Sequence, residues 1–260
     1  MDPDEIKAIR VESKRYIQKI MYLVAVAKPV IAADGKTVLF SGKVGTWRVA
    51  RLKHYASDYT GKYKSHRAGD EYMVDVNMDA AMYVDMMVKN LLPAIKSLKR
   101  NIWDVEAGRS DYVIAVQHDG APGHKARDIE RRLNAAFACV QGRFIRQPPK
   151  SPCTNMLDMA VFNSMAAYVA QHDYENKRDL HAAVLEAWDT LPVSTLLMQW
   201  ACKSITMAQL IHHRGEEFKA AHPGLRKARA AGGYAGLEAK ARRVCDGLDP
   251  IYPAKRQKKE

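Results

Sequence analysis

The chain has 260 residues, 47% of them hydrophobic, which allows one large domain or two small ones and excludes wholesale disorder. Lys and Arg number 41 against 29 Asp and Glu, giving a formal net charge of +12 that favours polyanionic partners, nucleic acid before a membrane surface. No run reaches the roughly 18 apolar residues of a membrane span, the opening MDPDEIKAIRVESKR lacks the apolar core of a signal peptide, and the four cysteines form no Cys-x-x-Cys pair, so the expectation is an intracellular protein with free thiols.

Residues 1–15 are polar. YIQKIMYLVAVAKPVIA (16–32) is rich in Ile, Val and aromatic residues, and a strand ending at Pro29 is expected. DGKTVLFSGKVGTWRVARL (34–52) reads as a turn and two strands, with Asp34-Gly35 as a hairpin signal. The basic, Gly-bearing stretch 56–71 reads as a long loop, and YMVDVNM (72–78) alternates like a half-buried strand. Val84, Val88, Leu91, Leu92, Ile95 and Leu98 recur at helical spacing, predicting a helix over 79–100 capped by Asp79, with a kink or a broken turn at Pro93. NIWDVEAGRSD (101–111) reads as a linker.

A short apolar strand follows at 112–118, a helix at about 125–138, and a strand at 142–149 stopped by two prolines. Leu157, Val161, Met165 and Tyr168 mark another helix, and 178–218 reads as mostly helical. The residues from 219 to 260, rich in Ala, Gly and basic side chains, read as a flexible tail ending in KRQKK, a short basic cluster of the nuclear-import kind or a solvated tail. Strands first, then alternating helices and strands, predict an α/β layer fold with a mixed sheet. The division expected is 1–175 for that domain, 176–218 for a helical extension and 219–260 for the tail.

Two acids stand out. Asp119 follows an apolar strand, and ligands of open α/β sheets gather at the carboxyl ends of strands. Asp158 stands at a helix start after QPPKSP. Hard divalent cations need clustered carboxylate oxygens, so the two acids form a candidate metal site. Purely structural roles are also open: Asp119 as an Asx-turn residue before Gly120, and Asp158 as a first-turn acid favoured by the helix dipole.

At these residues the chain resembles the mariner-like transposases, especially their plant and oomycete branch. That family has an Asp-Asn-Ala-x-x-His element, here DGAPGH (119–124). It has a Pro-Pro-x-Ser-Pro-Asp-Leu-Asn element leading to an acid, here within QPPKSPCTNMLDMAVF (147–162). ESKRYIQKIMYLVAVAKP, FSGKVGTWRV and YVDMMVKNLLPAIK extend the resemblance over about residues 10–170.

The resemblance implies a ribonuclease-H-like mixed sheet with flanking helices, followed by a helical C-terminal segment. It also implies magnesium- or manganese-dependent DNA cleavage and strand transfer by three carboxylates. Asp119 matches the second acid and Asp158 the third. His124, Pro149, Ser151, Pro152 and Asn155 match the surrounding motif positions. Gly120 and Cys153 depart from it, standing where the family has Asn and Asp. The first strand and its acid are expected to be missing, with MDPDEIKAIR corresponding to the linker after that strand. Asp2, Asp4 and Asp75 are weak substitutes for it.

The expected partner is DNA, contacted by Lys62, Lys64, Arg67, Arg143 and Arg146, with no membrane and no small-molecule cofactor. A homodimer is left open, and the nucleus is the favoured compartment. Two functions follow from this: a transposase remnant lacking one catalytic acid, or a non-enzymatic, sequence-independent nucleic-acid-binding protein.

Overall fold

The computed structural model describes residues 19–62, 65–121, 128–149, 151–174, 176–214, 222 and 224–249. Strand β1 (Tyr22–Val26) sends alternate side chains to two different cores. Leu23 and Ala25 face one, and Val24 faces the other. A short hairpin of β2 (Val30–Ile31) and β3 (Val38–Phe40) turns through Asp34-Gly35, as the sequence predicts. The Asp34 carboxylate accepts the backbone N–H groups of Lys36 and Thr37 at 2.8 Å each, and Gly35 supplies a φ of +69°.

Strand β4 (Lys43–Arg48) runs antiparallel to β1, with Tyr22 opposite Arg48 and a register shift after Ala25. Past Val49 the chain continues as β5 (Ala50–His54), which pairs antiparallel with β8 (Glu71–Asp75). The stretch expected as a loop carries a further small hairpin at its tip, β6 (Tyr59–Thr60) with β7 (Ser65–His66). The result is a projecting arm.

Asp79 caps the next helix by accepting the N–H of Met82 at 2.7 Å. Helix α1 (Ala80–Met86) passes through a π turn (Met87–Leu91) into α2 (Leu92–Leu98), then through a second π turn (Lys99–Trp103) into α3 (Asp104–Ala107). The expected kink or broken turn at Pro93 takes the form of the first π turn. Pro93 has no N–H to offer the carbonyl four residues back, and a wider turn just before it absorbs the mismatch. The extra residue also turns the buried face, so that Tyr83, Met86 and Met87 are buried while the expected Val88 is partly exposed. The expected linker is helical as far as Ala107 and stops at Gly108, which takes the left-handed conformation of a helix end.

Strand β9 (Ile114–His118), helix α4 (Ile129–Phe137) and strand β10 (Gly142–Arg146) form a βαβ unit, with β9 and β10 parallel. A 3-10 turn (Pro152–Thr154) and a third π turn (Leu157–Val161) lead into α5 (Phe162–Val169). The long helical segment breaks at Pro192 into α6 (Lys177–Thr190) and α7 (Val193–His212).

The expected flexible tail instead contains α8 (Leu225–Cys245), two helical stretches broken at Gly232-Gly233. Leu225, Leu237, Ala241 and Val244 are spaced to bury against Leu197, Ala201 and Ile205 of α7, and this apolar stripe holds the helix in place. Alanines lend it helical propensity.

The architecture is mixed α/β, with paired strands between helical layers. One core joins α1, α2, α4 and β10 through Tyr83, Ile95, Ile129, Leu133, Phe137 and Phe144. The other joins β1 to α5, α6 and α7 through Val24, Val161, Met165, Trp188 and Leu196.

Candidate active site and basic surface

Asp119 is the first residue past β9, and its carboxylate is exposed. Its Oδ1 accepts the N–H of Ala121 at 3.0 Å, an Asx turn that fixes the first step of the loop. Beneath it, Tyr83 and His118 are buried with their rings stacked 6.0 Å apart. Burial pushes the Tyr83 phenol well above its ordinary pKa, and the Asp119 charge adds to the effect. The hydroxyl therefore stays protonated.

Asp158 lies in the first turn of the third π segment and is exposed. Asn155 organises that turn: its Nδ2 donates to Asp158 Oδ2 (2.9 Å), and its Oδ1 accepts the N–H of Leu157 (3.0 Å). Upstream, the Ser151 carbonyl accepts from Gln147 Nε2 (2.9 Å) and Thr154 Oγ1 (2.8 Å), and its hydroxyl donates to the Pro149 carbonyl (3.1 Å). Pro152 opens the 3-10 turn, where its missing N–H costs nothing. Pro149, Ser151, Pro152 and Asn155 thus shape the approach to Asp158. His124 lies outside the described residues.

Gln117 ties the two acid-bearing segments together. Its Nε2 donates to the Thr154 carbonyl (3.0 Å), and its Oε1 accepts from Lys203 Nζ of α7 (2.9 Å). Gln117 is two residues before Asp119, and Thr154 is four before Asp158. The carboxyl end of β9 therefore meets the start of the Asp158 helix. The sequence reading missed Gln117 and Lys203. The available signal was a lone amide side chain near the end of a mostly apolar strand. Burial lowers the Lys203 pKa.

Asp75, a weak substitute for a third acid, is already committed. Arg48 reaches its Oδ1 at 2.7 Å and Lys177 its Oδ2 at 2.8 Å. Burial alone would raise its pKa, but the bonds from Lys177 and Arg48 outweigh that and lower it. Asp2 and Asp4 lie outside the described residues. Among the described residues, no three His, Cys, Asp or Glu side chains group at metal-binding spacing.

Each exposed carboxylate is a hard oxygen donor of the kind magnesium takes alongside water and substrate phosphate.

The basic candidates are dispersed. Lys62 and Arg67 are exposed on the arm, and Lys64 lies outside the described residues. Arg146 sits opposite His118 in the β9–β10 register, beside the acid end, and is ion-paired to Glu130 at 2.8 Å. Arg143, three positions earlier, projects to the opposite face of the strand.

No protein-family model and no curated protein matches the chain. Among solved structures, it is similar to the catalytic domain of Mos1 mariner transposase at 13% identity and a TM-score of 0.44. That match covers 65% of this chain and 82% of that one. A structure of the Mos1 catalytic domain with Raltegravir and Mg matches at the same identity and TM-score, with 84% of that chain covered. No helix among the described residues is long and apolar enough to cross a membrane.

Proposed function

We propose that the chain is a mariner-like transposase catalytic-domain relative that binds DNA through its positive charge and keeps two carboxylates of a metal-dependent strand-cleavage and strand-transfer site. The observation that carries this reading is the tie from Gln117 to Thr154. It joins the end of β9, two residues before Asp119, to the turn four residues before Asp158, the acids of the two motifs on which the resemblance rests.

In this reading Asp119 and Asp158 hold the divalent ion. The bound ion would lower the pKa of a water or 3′-hydroxyl nucleophile and offset charge on the phosphodiester. Asn155 and the Asx turn at Ala121 hold the carboxylates in place, and Arg146 lies on the neighbouring strand β10, opposite the last residue of β9. Losing one preorganised electrostatic contact commonly costs about 3–4 kcal/mol of transition-state stabilisation, a hundredfold or more in rate. A site with two carboxylates is therefore expected to bind DNA without cutting it.

The non-enzymatic reading gains from one observation. Both carboxylates already accept hydrogen bonds from their own loops, as purely structural acids do.

The test is to incubate the purified chain with plasmid DNA in magnesium or manganese. The expected result is no nicking, together with sequence-independent binding that weakens steeply with salt through counterion release. A longer protein carrying an upstream strand with an Asp should nick DNA, and Asp119→Ala or Asp158→Ala in that protein should abolish the nicking. Nicking by the 260-residue chain that is lost in either variant would overturn the inactive reading. Strong preference for one DNA sequence would overturn the sequence-independent one.

A further inference from the structure

The two faces of the β5–β8 arm differ in chemistry. Leu52 and Met73 stand opposite each other in the ladder, and both are about half exposed. Side chains alternate across a strand, so Lys53 and Tyr72, the next opposed pair, point to the other face. There Tyr72 begins a column of four nearly parallel rings. Tyr72 lies on Tyr55 at 4.2 Å with a 24° tilt, Tyr55 on His66 at 3.5 Å and 15°, and His66 on Tyr59 at 5.4 Å and 24°.

The column ends at Tyr59, on the tip hairpin. β6 pairs with β7 alone, and among the described residues His66 is the one ring stacked on Tyr59. Gly61 gives that ring its seat, because a Cβ there would stand 2.5 Å from the Tyr59 hydroxyl oxygen. Tyr59 is 55% exposed, so the column finishes in an open ring.

Every acid of residues 50–75 is engaged within the protein. Asp58 and Asp70 accept the N–H groups of Ala68 (2.6 Å) and Arg67 (2.7 Å), Glu71 meets His54 at 3.4 Å, and Asp75 holds Arg48 and Lys177. Lys53 and Arg67 are exposed and make no ion pair among the described residues. Lys53 stands opposite Tyr72 at one end of the column, and Arg67 follows His66 towards the other.

An open ring flanked by cations fits a nucleobase and its phosphates. A base inside a duplex has both faces covered by its neighbours, whereas an unpaired base is able to extend a ring column, and such stacking tolerates any sequence. We propose that the arm is a binding site for single-stranded DNA: an unpaired base stacks on Tyr59, and Lys53 and Arg67 neutralise phosphates along the strand. The proposal rests on the DNA reading and adds a preferred strand state to it.

The full chain is titrated with oligothymidylate of about ten nucleotides and with a duplex of the same length. An oligothymidylate carrying 5-iodouracil, which crosslinks under light to a ring stacked on it, maps the contact. The expected results are tighter binding of the single strand and a crosslink at Tyr59. Tyr59→Leu should weaken single-strand binding by about tenfold and leave duplex binding and the salt slope unchanged. Tyr59→Trp keeps a ring and should bind as the original does. Lys53→Ala removes a phosphate contact and should lower the salt slope by about one.

A crosslink confined to other residues would overturn the proposal. So would undiminished single-strand binding by Tyr59→Leu, or loss of that binding in Tyr59→Trp as well, which would make the column purely structural. Salt-sensitive duplex binding with no preference for the single strand would overturn this proposal and leave the DNA reading standing. Binding of neither form would overturn both.

Discussion

The βαβ core and the β5–β8 arm are built on different principles. In the core, Ile129, Leu133 and Phe137 repeat every four residues, are fully buried, and interlock with Tyr83 and Phe144. In the arm, no described residue between 50 and 75 is buried. Its strands hold register through their ladder and a stack of rings: Tyr72 on Tyr55 at 4.2 Å, Tyr55 on His66 at 3.5 Å, and His66 on Tyr59 at 5.4 Å. Asp58 and Asp70 cap the tip by accepting the N–H groups of Ala68 and Arg67. Apolar burial stabilises the first region as a whole, whereas local pairs hold the second one residue at a time.

The sharpest test of that difference is truncation in the core. Phe137→Ala should destabilise the chain by about 3–5 kcal/mol through lost transfer energy and a cavity, measured as a fall in denaturant midpoint with little change in slope. The base of the arm should come next. Asp75→Asn removes the anion shared by Arg48 and Lys177 and should cost about 1–3 kcal/mol. It should also flatten the acid limb of the stability curve. Asp75 has a depressed folded-state pKa, so its contribution is present above the unfolded pKa of about 3.9 and is lost as pH falls through the lower folded value. Thermal melts of both proteins from pH 6 down to 2 would read this, and parallel curves would remove Asp75 from the account.

The smallest effect belongs to the arm. Tyr55→Ala should cost about 0.5–1.5 kcal/mol locally. Amide exchange should speed up in β5 and β8, with no shift in the protection of Leu133 or Phe137. If the core loosened as well, the two regions would be one cooperative unit and the contrast would fail.

The same contrast explains what could be read from the sequence. Core elements declared themselves by period: the apolar β9, the Ile129–Leu133–Phe137 stripe, and the Asp79 cap. So did the Asp34-Gly35 turn, whose chemistry is local. The arm's tip hairpin was hidden because Tyr59-Thr60 and Ser65-His66 have no buried face to leave a pattern. Helix α8 was hidden by its composition: its apolar stripe is thin, and Gly232 and Gly233 interrupt the helical dihedrals. At the candidate site the two acids could be found from chain order. Their meeting through Gln117 and Thr154 could not, because a side-chain bond across 37 residues leaves no periodic trace.

The third π turn has a consequence for phase. Met156, Val161 and Met165 are all buried, at spacings of five and then four. In an unbroken α-helix five residues make about 1.4 turns, so Met156 and Val161 would point in different directions. The bond from Phe162 N–H to the Leu157 carbonyl spans five residues and takes up the surplus. The helix thus carries one residue beyond what its packing stripe requires, and Asp158 sits inside that surplus. Its bearing is uncoupled from the bearing of Met165 on the core. A one-residue deletion between Leu157 and Val161 could leave the packed half of the helix in register and still re-aim the carboxylate, so a length change, with no change of acid, would be enough to retune or dismantle the site.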